Sequence, residues 1–127
     1  MRAVDTNVIV RLITRDDEAQ VRTAEAYIAA GGAWISHLVL VEVVWVLASV
    51  YELSRKEIAG VVEMLLEQES LVVQEPGIAA AALELYRKGG GRDFADCLIV
   101  EVARGAGHLP LGTFDRRLSR VAGTELL

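Results

Sequence analysis

Five carboxylates stand where the surrounding residues give little reason for charge: Asp5, Glu42, Asp93, Asp96 and Asp115. Asp5 directly follows the apolar start Ala3-Val4, at the end of an expected strand. Glu42 is the only charge between Leu38 and Val50, flanked at helical spacing by Leu38, Val39, Trp45 and Val46. A carboxylate buried on such a helix costs several kcal/mol unless it is paired or metal-bound. Asp93 and Asp96 are spaced i, i+3 at an expected helix start and share a face. Asp115 ends another expected strand after Leu109-Pro110-Leu111-Gly112-Thr113-Phe114. Helix capping also accounts for Asp5 and Asp115, and complementing the helix dipole also accounts for Asp93. For Glu42 the competing reading is a buried ion pair. Taken together, strand-end acids and a mid-helix Glu point to one edge of a parallel sheet. Carboxylates gathered there repel one another, and a bound cation relieves that repulsion. All-oxygen ligands select Mg²⁺ or Mn²⁺ over zinc or copper.

Short strands alternating with helices must carry these acids. Strands are expected at Ala3–Asp5, Ala33–Ser36, Leu71–Val73 and His108–Gly112, with the last residues as an edge strand. Helices are expected over Val8–Ile13, Asp17–Ala30, Leu38–Tyr51, from Ser54 to about Gln68, Gly77–Lys88 and Phe94–Arg104, with a helical turn at Asp115–Arg120. Ser54-Arg55-Lys56-Glu57 has capping-box spacing, and Gly89-Gly90-Gly91 reads as a helix stop and loop. Strands separated by helices imply crossovers and a mainly parallel sheet. Ligands of such sheets bind beyond the carboxyl ends of the strands. No repeat or linker divides the 127 residues, so a single domain over 1–127 is expected.

Composition sets the outer bounds. With 53% hydrophobic residues the chain can build a core, and with the single Cys97 it cannot build an internal disulfide framework or a cysteine zinc site. The longest apolar stretch is too short to span a membrane, and a soluble protein of the reducing cytoplasm is expected. The net charge of −5 argues against a broad nucleic-acid-binding surface. Eleven of the thirteen basic residues are Arg, the better side chain for forked phosphate contacts, but they are scattered along the chain. His37 and His108 lack ligand-spaced partners, and Cys97, Trp34 and Trp45 read as core. Aspartyl-phosphate chemistry of the receiver type needs a Lys at a late strand end, whereas Lys56 and Lys88 fall within expected helices.

VDTNVIVRL, VLVEVVWVL, DFADCLIVEVARGAG and GTFDRRL, in this order over nearly the whole chain, resemble the PIN-domain nucleases and, within them, the VapC-type toxins. The resemblance implies an α/β, PIN-like three-layer sandwich whose central, mainly parallel sheet is flanked by helices. It implies Asp5, Glu42, Asp96 and Asp115 as catalytic and metal-holding acids, with Asp93 as an accessory acid. It also implies Thr113 as the hydroxyl that orients Asp5; Asn7 fits a helix start better than a site role. The implied activity is RNA hydrolysis by water activated at Mg²⁺ or Mn²⁺. The implied partners are an RNA substrate, a cognate antitoxin protein and a second copy in a homodimer. A non-catalytic PIN-like module that binds RNA or protein is the alternative.

Overall fold

Helices cross over between the first three strands, which pair in parallel, and a computed structural model describes all of residues 1–127. Its contacts divide them into two compact units, Met1–Pro76 and Gly77–Leu127.

In the first unit, β1 (Arg2–Ala3), β2 (Ala33–Ile35) and β3 (Leu71–Val73) form a parallel sheet in that order. Arg2 lies opposite Ala33, and Ala33 opposite Leu71. The helices are α1 (Thr6–Thr14), α2 (Glu18–Ala29), α3 (His37–Ser49) and α4 (Arg55–Glu67). Local chemistry marks each start. Asp17 caps α2 by accepting from the Gln20 amide at 3.1 Å, and Ser36 caps α3 through the Val39 amide at 3.1 Å. Ser54 and Glu57 complete the expected capping box of α4. Gly32 turns the chain from α2 into β2 at φ +74°, and a Cβ there would stand 2.8 Å from the Ser70 carbonyl oxygen. Ile9 and Val10 of α1, Leu40, Val43 and Leu47 of α3 and Val62 and Leu65 of α4 are fully buried. Each contributes about 1.5–3 kcal/mol of hydrophobic stabilisation.

The second unit contains α5 (Pro76–Arg87, its first residue belonging to the first unit), α6 (Phe94–Ala106), β4 (Leu111–Thr113), a short 3-10 turn (Leu118–Arg120) and β5 (Thr124–Leu126). β4 and β5 pair in parallel as a separate two-stranded sheet. Buried Tyr86 of α5 meets buried Phe94 of α6 edge-on, with ring centroids 5.8 Å apart. Gly107 ends α6 in the left-handed region, a conformation that only glycine adopts without cost.

The expected α/β class with parallel strands is observed. Some strands stop earlier than expected: β1 ends at Ala3, although the Val4 amide still donates to the Trp34 carbonyl at 3.2 Å, and β2 ends at Ile35. No helix is long and apolar enough to cross a membrane.

Candidate active site

Asp5 occupies the N-cap of α1, in extended conformation, where its Oδ1 accepts from the Val8 amide at 3.4 Å. The capping alternative raised by the sequence is therefore observed. The cap uses one carboxylate oxygen and fixes the carboxylate's direction, while Oδ2 has no protein donor. Asp5 is exposed, as is Asn7 beside it.

Glu42 differs from expectation. It is exposed rather than buried, and α3 buries the opposite face through Leu40, Val43, Val44 and Leu47. Leu38, 84% exposed, and Trp45, 64% exposed, share the Glu42 face, so Trp45 is not core and Trp34 is only half-buried. The desolvation argument for Glu42 fails with its burial. An apolar residue at almost every position of α3 leaves no periodicity to say which face turns inward. What holds Glu42 is Thr6, whose hydroxyl donates to Glu42 Oε1. Thr6 is the one buried polar side chain of the protein, 8% exposed, and it follows Asp5 directly. Sequence reasoning missed it, because a threonine at a helix start is ordinary and carries no spacing signal of its own.

The other three acids belong to the second unit. Asp93 stands at the N-cap of α6 but makes no side-chain capping bond, so capping does not occupy its carboxylate. Asp96 lies in the first turn of the same helix, half-buried. Burial first, then the charges of Asp93 and Asp115, push the Asp96 carboxyl above its ordinary value. Asp115 follows β4 and accepts through Oδ1 from the amides of Arg117 at 2.7 Å and Leu118 at 3.2 Å. Like Asp5, it spends one oxygen on a cap and leaves Oδ2 without a protein donor. Thr113 Oγ1 accepts from the Asp115 amide at 3.0 Å, so the hydroxyl expected to orient Asp5 organises the turn that carries Asp115. Arg117 also donates to the Gly91 carbonyl at 3.4 Å, tying that turn to the loop before Asp93. Gly89-Gly90-Gly91 follow the end of α5 with positive φ throughout, the expected helix stop. Cys97 is buried, as expected.

The structure thus brings Asp93 and Asp115 within electrostatic reach of Asp96, and separately joins Glu42 to the residue after Asp5. No group of three or more His, Cys, Asp or Glu side chains is arranged to hold a metal ion. The donor chemistry nonetheless suits a hard divalent cation: carboxylate oxygens only, mutually repelling at Asp96, with Oδ2 of Asp115 uncommitted.

Residues 2–124 match the model of a known family, the PIN domain. The chain belongs to the PIN domain family. One relative of this PIN domain is a protein named VapC ribonuclease from Aquifex aeolicus (strain VF5). It is 29% identical over 126 residues, covering 95% of this chain and 92% of the relative. No solved structure matches the chain.

Proposed function

We propose that this PIN domain is a metal-dependent endoribonuclease that cuts single-stranded RNA. The observation that carries the reading is the set of uncommitted carboxylate oxygens: Asp5 and Asp115 each cap through Oδ1 and leave Oδ2 without a protein donor, and Asp93 at the start of α6 makes no capping bond. Carboxylates gathered near the half-buried Asp96 repel one another, and bound positive charge relieves this. The name of the Aquifex relative supports an RNA substrate.

In this reading Asp5, Glu42, Asp96 and Asp115 serve one hydrolytic reaction, with Asp93 as an accessory acid. Asp5 and Asp115 each present Oδ2 while the cap on Oδ1 keeps the carboxylate from swinging. Thr6 gives Glu42 a fixed direction on an otherwise mobile exposed side chain. Thr113 acts through Asp115, by holding the turn on which it sits. Asp5, Glu42, Asp96 and Asp115 would hold Mg²⁺ or Mn²⁺. A divalent cation in such a setting neutralises charge on the scissile phosphate and makes water a stronger acid. We further propose that the protein is the cytoplasmic toxin of a toxin–antitoxin pair, is a homodimer, and is inhibited by a companion protein that brings a basic side chain to the acids. An Arg pairs with carboxylates through two parallel hydrogen bonds and competes with the cation.

The test is digestion of structured and unstructured RNA by wild type, Asp5→Asn and Asp96→Asn. Cleavage by wild type alone supports the proposal. RNA binding without cleavage would establish a non-catalytic module, and equal cleavage by all three proteins would remove the acids from the chemistry.

A further inference from the structure

The second unit holds a cavity of about 370 Å³ that none of the five acids lines. Ala81, Glu84, Leu85 and Lys88 form one wall, at the i, i+3, i+4, i+7 spacing of a single face running off the end of α5. Arg92 before α6, the last turns of α6, and Arg120 at the end of the short turn with the two residues after it form the others. Four of the chain's thirteen basic residues meet here: Lys88, Arg92, Arg104 and Arg120. Glu84 and Glu101 are the acids of the lining, so its formal charge is four minus two, +2, in a chain of net charge −5. Arg104 neutralises Glu101, with Nε at 3.1 Å from Oε2, and donates from its other end to the Ala122 carbonyl at 2.7 Å. Lys88 and Arg120 form no ion pair, although Glu84 lies one turn before Lys88.

We infer that this cavity binds the phosphodiester backbone of the RNA strand, at nucleotides next to the scissile one. The inference rests on the ribonuclease reading given above. Arg92 immediately precedes Asp93, so the basic lining begins beside the acidic group. It runs on to Arg104 in the last turn of α6, a helix of 13 residues. Lys88, Arg92, Arg104 and Arg120 come from separate places around one cavity, and that number of cations suits more than one phosphate of a strand. Guanidinium forks match phosphate oxygens, and contacts of this kind position a strand without reading its bases. The cavity also explains how a chain with an acidic net charge holds a polyanion: the cations are few but gathered.

The test measures binding of a short, labelled single-stranded RNA across a range of KCl concentrations, in an Asp96→Asn background that leaves the RNA intact. Replacing two phosphate contacts should reduce the slope of log affinity against log salt by about 1.4, at about 0.7 per single-strand phosphate. The Lys88→Gln, Arg120→Gln double variant should show this reduction. The matched double Arg22→Gln, Lys56→Gln, which removes the same charge from α2 and α4, should keep the parent slope. With Asp96 restored, the cavity double should raise KM and leave kcat in place. Equal slopes for the two doubles, or no measurable RNA binding, would overturn the inference. Displacement of RNA by inorganic phosphate at matched ionic strength would assign the cavity to a free anion and overturn it as well. Failure of the wild type to cleave would instead count against the ribonuclease reading, and the slopes would still report on the cavity.

Discussion

Thr6→Val isolates the link between the fold and the proposed chemistry. Valine fills the buried site with a side chain of the same shape and removes only the hydroxyl that donates to Glu42. A hydrogen bond to a charged group contributes about 1.5–3 kcal/mol, and the exposure of Glu42 places this one at the lower end. If the hydroxyl serves to aim Glu42, that energy appears in the barrier: about 1.4 kcal/mol is tenfold in rate. Thr6→Val should therefore lower kcat for RNA cleavage roughly tenfold, leave KM near wild type, and move the melting temperature by no more than about 6 °C. Thr6→Ser keeps the hydroxyl and should recover most of the rate. In a Glu42→Ala background, which removes the acceptor, Thr6→Val should cause no further loss of whatever slow cleavage remains. Single-turnover cleavage and thermal melts of the wild type and these four variants decide the matter. Wild-type rates in Thr6→Val, or a Thr6→Ser variant as slow as Thr6→Val, would refute the positioning role.

Other outcomes follow from the same geometry. Glu42→Gln should abolish cleavage without gain or loss of stability, since the side chain is exposed; a large drop in melting temperature would show that Glu42 is structural. Asp96 has its folded pKa raised above the ordinary 3.8, so as pH rises from 3.8 to the folded value the unfolded chain releases its proton first and stability falls. Asp96→Asn lacks this penalty: in metal-free buffer it should melt above wild type near neutral pH, with the difference vanishing below 3.8, and a pH-independent difference would contradict the assignment. Phe94, 2% exposed and edge-on to Tyr86, anchors the turn that carries Asp93 and Asp96. Phe94→Ala should cost about 3–5 kcal/mol in denaturant unfolding, and a loss under about 1 kcal/mol would mean that the pair does not hold the helix start.

Local signals made much of the fold legible. The Ser54-to-Glu57 spacing located α4 and its capping box, and the Leu71–Val73 run located β3 to the residue. Signals that depend on packing were not readable. α3 is apolar nearly all round, so its sequence could not reveal that Glu42 and Trp45 face outward. Strands of two or three residues leave no alternation to count, which is why the ends of β1 and β4 shifted and the split into two hydrogen-bonded sheets was not foreseen. For Asp5 and Asp115 the sequence offered capping or chemistry as alternatives. In the structure the cap engages Oδ1 of each and leaves Oδ2 without a protein donor, so the two readings are compatible. Thr6 and the basic cavity were invisible because each depends on residues far apart in sequence: Thr6 with Glu42, and Lys88 with Arg120.

The most direct measurement is metal rescue of RNA cleavage. The purified protein is stripped with EDTA, assayed on an unstructured RNA, and assayed again after Mg²⁺ or Mn²⁺ is restored in excess, with Asp96→Asn treated in parallel. No cleavage after stripping, full recovery with either cation, and none from the variant are the expected results. Cleavage that persists in EDTA, or that the variant matches, would contradict a metal-dependent reaction at these acids.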